Sequence, residues 1–154
     1  MDVFSRAKRS EVMSRIRSRG NKDTELAMAR LLRQSNMSGW RRHYGITGRP
    51  DFAFVSSRVA VFVDGCFWHA CPRCGVLPRN NRKFWMAKLS GNVARDRRVT
   101  RALRGAGWTV LRIWEHEFTR PEGVVSRLQR SFASAGNRAI ASRKLHGLSS
   151  GRHR

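Results

Sequence analysis

Two aspartates and a histidine stand around the ends of two predicted strands. Asp51 comes directly before one strand, Asp64 comes directly after the next, and His69 follows five residues later. Carboxylates that face each other repel unless a cation lies between them. A divalent cation held in this way polarises a phosphate, while a histidine takes a proton from the attacking water. The pattern therefore favours metal-assisted hydrolysis, with Asp96 either orienting the second ring nitrogen of His69 or pairing with the arginines beside it.

The pairing of the two aspartates depends on a predicted β-hairpin. Residues 52–56 and 59–63 are rich in β-branched and aromatic side chains, which is typical of strands. If the turn consists only of Ser57-Arg58, the register places Asp51 opposite Asp64. The hairpin therefore predicts two acidic side chains next to each other at one end of the sheet.

All three cysteines lie within nine residues, as Cys66, Cys71 and Cys74, and the last two form a CxxC pair. Three thiolates need a fourth ligand to complete a tetrahedral zinc site, and His69 and His116 are the candidates. The predicted strands that precede Cys66 and His116 are neighbours, so their C-terminal ends meet and favour His116. A structural zinc ion is the expectation, and a redox disulfide is the alternative.

Phe67 and Trp68 follow the second strand in a short loop among glycine, cysteine and histidine. Aromatic side chains that unstack base pairs need a rigid mounting, which a neighbouring zinc site provides. The alternative interpretation is ordinary packing in the protein core. The sequence leaves both possibilities open.

The remaining patterns predict helix 25–34, helix 81–105, strand 108–114 and a last helix that begins at Pro121. A strand, a helix and a second strand in succession form a βαβ unit with parallel strands. Glu25 lies in the first turn of the first helix, where a carboxylate offsets the helix dipole. The predicted fold class is therefore α/β, with a small mixed β-sheet flanked by helices.

The chain has 154 residues, which is the length of one domain. We divide it into a basic N-terminal arm at 1–22 with a short helix near 10–17, a folded domain at 23–133, and a basic tail at 134–154 that we expect to be disordered. No apolar run approaches the ~20 residues of a membrane helix, and no signal peptide is recognisable. We therefore expect a cytoplasmic protein that does not enter membranes.

The chain carries 32 Lys and Arg against 10 Asp and Glu, a formal charge of +22. Residues 1–118 alone carry +15, so the folded part is itself basic. Such an excess of positive charge indicates a polyanionic partner, because phosphates neutralise it while counterions are released. Nucleic acid is the first expectation. An anionic membrane surface and the drift of a GC-rich genome towards arginine are the alternatives.

Four segments carry a resemblance to a known family: GRPDF at 48–52, DGCFWH at 64–69, NVARDRR at 92–98 and GWTVLRIWE at 107–115. With these motifs the chain resembles the very-short-patch repair (Vsr) endonucleases over roughly residues 6–118. The resemblance implies a fold similar to the type II restriction enzymes of the PD-(D/E)xK class. It also implies nicking of DNA 5′ to the thymine of T:G mismatches, which arise when 5-methylcytosine deaminates.

The family pattern also implies a role for individual residues. Asp51 matches a ligand of two Mg²⁺ ions, the backbone carbonyl of Val63 a second ligand, His69 the general base and Asp96 its support. Glu25 matches an acid that reaches metal-bound water, which replaces the helix-dipole interpretation. Phe67, Trp68 and Trp85 match aromatic residues inserted beside the mismatch. The structural-zinc region contains Cys66, Cys71, Cys74 and His116.

The resemblance implies two Mg²⁺ ions, one Zn²⁺ ion and double-stranded DNA with a T:G mismatch, cut by a monomer. Mismatch-repair proteins and a DNA cytosine methyltransferase are further possible partners. Position 64 departs from the pattern, because Asp64 stands where some relatives have histidine. Asp64 is either an extra metal ligand or a replacement for a proton-shuttling group. The usual lysine of the wider nuclease class is also absent, and His69 takes its place.

Overall fold

The structure is a computed structural model that describes residues 22–149 and the side chains of residues 24–138. Of the predicted arm, only Lys22 belongs to the described residues. The helix predicted near 10–17 lies outside them. The elements follow in the order α1 (Lys22–Gln34), β1 (Trp40–Arg42), β2 (Phe52–Phe54), β3 (Val59–Asp64), α2 (Arg82–Gly105), β4 (Thr109–Trp114), a 3₁₀ helix (Glu115–Thr119) and α3 (Pro121–Ser149).

The four strands form one sheet in the order β1-β2-β3-β4. β2 is antiparallel to both of its neighbours, whereas β4 runs parallel to β3. A parallel pair needs a long crossover connection, and α2 lies within it. The prediction of an α/β fold with a small mixed sheet and a βαβ unit is therefore confirmed.

Alternation along the strands gives the sheet two apolar faces, because successive side chains point to opposite sides. Phe52 and Val61 belong to a core cluster that includes buried residues of α1 and α3. Ala53, Ala60 and Phe62 belong to a second cluster, which includes Leu103 of α2. The helices therefore cover both faces of the sheet. They pack beside the end of the sheet at which β2 begins and β3 ends.

The predicted hairpin register is wrong by two residues. β2 pairs with β3 through Phe52–Val61 and Phe54–Val59, so the turn comprises residues 55–58 rather than two residues. Arg58 closes this turn, with its N–H donating to the Val55 carbonyl at 3.2 Å. Asp51 is therefore not directly opposite Asp64. A shift of two residues keeps every side chain on its face, so both acids still lie at the same end of the sheet.

Several boundaries differ from the predicted ones. β1 was not predicted, and α2 begins one residue later than predicted. α3 continues to Ser149, so the prediction of a disordered tail is wrong for residues 134–149. The alanine and arginine residues after residue 133, where the apolar pattern ends, have high helix propensity and extend the helix. The division into arm, domain and tail stays a prediction. Among the described residues, no helix is long and apolar enough to cross a membrane.

Candidate active site and zinc centre

A cavity of about 600 Å³ opens at the sheet edge where β2 begins and β3 ends. Residues from α1, α2, β3 and β4 line it, together with residues of the segments that precede β2 and follow β3. The cavity therefore brings together side chains that are far apart in sequence. Its lining includes every residue predicted to be catalytic: Glu25, Asp51, Asp64, His69 and Asp96. The structure therefore brings the predicted site together, while the role of each residue stays a prediction.

Asp51 lies directly before β2, and its carboxylate accepts a hydrogen bond from the N–H of Val63 at 2.7 Å. Burial raises the pKa of Asp51 to about 6, and the nearby charges of Glu25 and Asp64 act in the same direction. The hydrogen bond from Val63 opposes them. An ionised Asp51 therefore needs a positive charge that the surrounding protein only partly supplies.

Glu25 and His43 complete a candidate metal site with Asp51. One ligand atom from each of the three residues lies within 4.8 Å of the others. Glu25 is buried, accepts a hydrogen bond from Arg42, and lies 3.3 Å from Nε2 of His43. Carboxylate oxygens are the ligands that Mg²⁺ prefers, whereas an imidazole nitrogen is not, so Glu25 and Asp51 fit the predicted ion and His43 does not.

His69 and Asp96 form a second close pair in the lining of the cavity. Nδ1 of His69 lies 2.5 Å from Oδ2 of Asp96. Burial raises the pKa of Asp96, but the hydrogen bond to His69 and the charge of Arg112 outweigh it and hold this pKa below its usual value. An ionised Asp96 has no proton to donate, so Nδ1 of His69 carries the proton and Nε2 is the basic nitrogen.

Asp64 is buried and faces an arginine. Nε and Nη2 of Arg112 donate to its two oxygens at 2.6 and 2.8 Å. Nη2 of Arg112 also lies 3.1 Å from Oδ1 of Asp96. Asp64 is thus bound by a guanidinium and stands outside the group formed by Glu25, His43 and Asp51.

The three cysteines and His116 form a second cluster of possible metal ligands, beside the cavity. Nδ1 of His116 lies 3.2, 3.6 and 3.4 Å from the sulfurs of Cys66, Cys71 and Cys74, respectively. Ligand sulfurs about 3.8 Å apart are expected around zinc with Zn–S distances of about 2.3 Å. The sulfurs of Cys71 and Cys74 are 3.6 Å apart, so the four groups could hold a tetrahedral zinc ion.

Four aromatic side chains, Phe67, Trp68, Phe84 and Trp85, form what we call the aromatic cluster. Phe67 contacts the rings of Trp68 and Trp85 with centroids 5.1 and 5.3 Å apart, and Phe84 contacts Trp85 at 5.2 Å. Phe67, Trp68 and Trp85 are half-buried rather than part of the core, whereas Phe84 is 61% exposed. A solvent-facing group of rings therefore adjoins both the zinc ligands and the cavity.

Comparison with known proteins decides the family. The family model described as "DNA mismatch endonuclease Vsr" matches residues 1–73. The DNA mismatch endonuclease Vsr of Escherichia coli (strain K12) is 34% identical over 144 residues, which cover 88% of this chain and 90% of that protein. The chain belongs to the Vsr family.

Other relatives agree with this assignment. The Type II nicking enzyme V.NmeDIP of Neisseria meningitidis serogroup C is 37% identical over 78% of this chain and 82% of its own length. The Type II nicking enzyme V.NaeI of Lentzea aerocolonigenes is 53% identical over 73 residues, which span 47% of this chain and only 44% of that enzyme. The predicted family and the predicted class of enzyme, an endonuclease, are therefore confirmed.

Three site residues of this Vsr-family chain escaped the sequence analysis: His43, Arg112 and Phe84. His43 follows the unpredicted strand β1, and one histidine in a polar segment carries no distinctive signal. The sequence did contain a signal for Arg112, because a single charged residue inside an apolar strand needs a buried partner. Phe84 carried one too, since it adjoins Trp85 in sequence and precedes the apolar face of its helix.

The raised pKa of Asp51 predicts that the protein is more stable with an amide at this position. Between pH 4 and pH 6 the folded state retains a proton that the unfolded state loses, so wild-type stability falls relative to Asp51→Asn as pH rises. Above pH 6 the difference should reach about 3 kcal/mol. Urea unfolding of both proteins from pH 4 to pH 8, with zinc supplied and no added Mg²⁺, measures it. A constant difference across this range would contradict the prediction.

Proposed function

We propose that this protein nicks DNA at T:G mismatches, on the 5′ side of the thymine, and thereby begins repair of deaminated 5-methylcytosine. The observation that carries the proposal is the convergence of two groups in one cavity of a strongly basic protein. One group is the acidic cluster at Asp51, and the other is the His69–Asp96 pair. The proposal includes a core similar to that of the type II restriction enzymes. The similarity of this protein to the DNA mismatch endonuclease Vsr supports the choice of substrate.

The metal-binding part of the proposal concerns Asp51, Val63 and Glu25. Asp51 and the backbone carbonyl of Val63 would hold Mg²⁺, and Glu25 would bind water around the ions. When bound there, two Mg²⁺ ions polarise the scissile phosphate and stabilise the attacking and leaving oxygens. The buried, mutually repelling carboxylates of Asp51 and Glu25 support this part, because a cation relieves their repulsion.

The proton transfer falls to His69. Its Nδ1 is held by Asp96, so Nε2 is available to take a proton from the attacking water. Attack on phosphorus then breaks the bond to the 3′ oxygen and leaves a 5′-phosphate and a 3′-hydroxyl. Asp96 keeps the ring in one tautomer and stabilises the imidazolium that forms.

Recognition of the mismatch falls to the aromatic cluster. Phe67, Trp68 and Trp85 would insert beside the mismatch and unstack the duplex, at a cost of a few kcal/mol per step. A mispaired step unstacks more cheaply than a matched one, so the insertion itself favours T:G sites. The half-exposed position of these rings, next to a zinc-bound loop, supports this role.

The setting of the protein follows from the same proposal. A monomer with a net charge of +22 would bind the DNA backbone by itself and work on the nucleoid in the cytoplasm. One structural Zn²⁺ ion would hold the loop that carries the aromatic rings. A DNA cytosine methyltransferase would create the substrate, and mismatch-repair proteins would act on the same lesion.

Strand-specific nicking of a T:G duplex, with and without Mg²⁺, tests the proposal. We expect Mg²⁺-dependent cleavage of the thymine strand that is about 100-fold faster than cleavage of matched T:A and C:G duplexes, because a few kcal/mol of unstacking energy separate them. Matched labels on both strands identify the nicked strand. Mismatch binding without any Mg²⁺-dependent cleavage would indicate a zinc-stabilised DNA-binding protein instead.

A nuclease with another target is the second candidate, favoured by relatives named Type II nicking enzymes. The same experiment distinguishes it when other mismatches and several sequence contexts are included. Equal cutting of all duplexes would contradict the repair assignment and leave a nuclease of broader specificity.

A further inference from the structure

Four ionisable side chains form a connected row in the wall of the cavity: His69, Asp96, Arg112 and Asp64. Oδ2 of Asp96 lies 2.5 Å from Nδ1 of His69, and Oδ1 of Asp96 lies 3.1 Å from Nη2 of Arg112. Both oxygens of Asp64 accept from Arg112, at 2.6 and 2.8 Å. Each oxygen of the two carboxylates therefore has a bonding partner.

Two carboxylates, those of Asp96 and Asp64, lie close to Nδ1 of His69, and Arg112 binds both of them. Oδ1 of Asp64 lies 3.7 Å from Nδ1 of His69, close enough to compete with Asp96 after a small rotation. The guanidinium binds Asp64 at two points and holds Asp96 by the oxygen that His69 does not use. If Arg112 were absent, the buried carboxylate of Asp64 and the half-buried one of Asp96 would compete for one ring nitrogen, and the ring would no longer have a single preferred orientation.

The fold makes Arg112 a rigid part of the site. Its backbone in β4 pairs with Phe62 of β3, and its guanidinium lies 4.7 Å from the ring centroid of Phe62. Arginine presents a planar fork and keeps its charge when buried, whereas lysine offers a single ammonium point. The network thus requires the shape of arginine as well as its charge.

We propose that Arg112 is a positioning residue for the nicking reaction, which fixes Asp96 so that His69 donates Nδ1–H to one carboxylate and keeps Nε2 free for water. In this arrangement Asp64 serves as the anchor of Arg112. The inference rests on the proposed function, because it assigns His69 the role of general base.

A double-mutant cycle tests whether Arg112 acts through Asp96. Arg112→Met, Asp96→Asn and the double variant are compared with the wild type for the single-turnover rate of T:G nicking at saturating enzyme, and for the Kd of the same duplex. Arg33→Met is the control matched for charge, because the Arg33 guanidinium also lies over an aromatic ring, 5.6 Å from the centroid of Trp40, but does not line the cavity.

We expect Arg112→Met to slow nicking by about 10- to 100-fold, since general base catalysis as a whole contributes about 10²- to 10⁴-fold. The Kd should stay within about threefold, because Arg112 does not need to touch the DNA for this role. In the Asp96→Asn background the same change should cost less than about threefold, as expected for residues that act in one unit. Arg33→Met should nick at nearly the wild-type rate.

A wild-type rate for Arg112→Met would overturn the inference, as would rate losses that multiply in the double variant. A wild-type protein that fails to nick T:G duplexes would instead contradict the proposed function, and the inference with it. If Arg112→Met does not fold, the nicking rate of Arg112→Lys tests the inference instead. This variant retains the charge beside Asp64, so we expect it to fold and still nick at least about fivefold slower. Arg112→Lys at full rate would overturn the inference.

Discussion

Asp51→Asn is expected to lower the rate of T:G nicking by about 1,000-fold or more. A metal ion that polarises a phosphate contributes several kcal/mol to transition-state stabilisation, and each 1.36 kcal/mol corresponds to a factor of ten. The amide removes the charge that would hold the ions but still accepts the hydrogen bond from Val63. The fold and the cavity should therefore remain intact. Single-turnover nicking at saturating Mg²⁺ measures the loss.

The control for Asp51→Asn must separate chemistry from charge. Removing one negative charge from a basic protein strengthens DNA binding in general. Glu122→Gln makes the same change of charge at an exposed position in the first turn of α3, away from the cavity. We expect both variants to bind the T:G duplex at least as tightly as the wild type, and only Asp51→Asn to lose nicking. Residual nicking above about one tenth of the wild-type rate would contradict a central metal ligand at this position.

Cys71→Ser is expected to abolish stoichiometric zinc binding and to lower the melting temperature by about 10 °C. Binding of a structural zinc ion contributes directly to the free energy of folding. A loss of about 3 kcal/mol corresponds to a shift of about 10 °C for a protein of this size. Cys71 is buried, so water cannot replace the lost ligand easily. Metal analysis of the purified protein and thermal unfolding measure the two effects.

The two histidine candidates for the fourth zinc ligand allow a matched comparison. His116 lies within 3.6 Å of each of the three sulfurs, whereas His69 is held by Asp96. We expect His116→Ser to lose zinc affinity and His69→Asn to retain one zinc ion per chain. The reverse result, or a disulfide between Cys71 and Cys74 in the native protein, would contradict the proposed zinc centre.

The zinc centre also connects stability to the reaction. The loop between Gly65 and Gly75 contains three candidate zinc ligands, two rings of the aromatic cluster and His69. Loss of zinc should therefore lower nicking even at temperatures where the protein stays folded.

Much of the fold could be predicted because its signals are local. The apolar alternation of residues 59–63 and the helical periodicity of residues 81–105 depend only on neighbours in sequence, and the observed elements agree within two residues. The GRPDF and DGCFWH motifs likewise indicated Asp51 and His69, which line the cavity, and the CxxxxCxxC spacing indicated the three cysteines, which form one cluster. The two parallel strands then placed His116 beside them.

The tertiary structure alone decided the hairpin register and the partner of Asp64. The four-residue turn at 55–58 set the hairpin register, and no local pattern distinguishes it from a shorter one. The partner of Asp64 could not be read from its neighbours, because Arg112 lies 48 positions away and approaches only through the parallel pairing of β3 and β4. The periodicity of a segment indicates which of its own side chains are buried. The balance of charge inside a cavity depends on the packing of several segments, and only the folded chain specifies it.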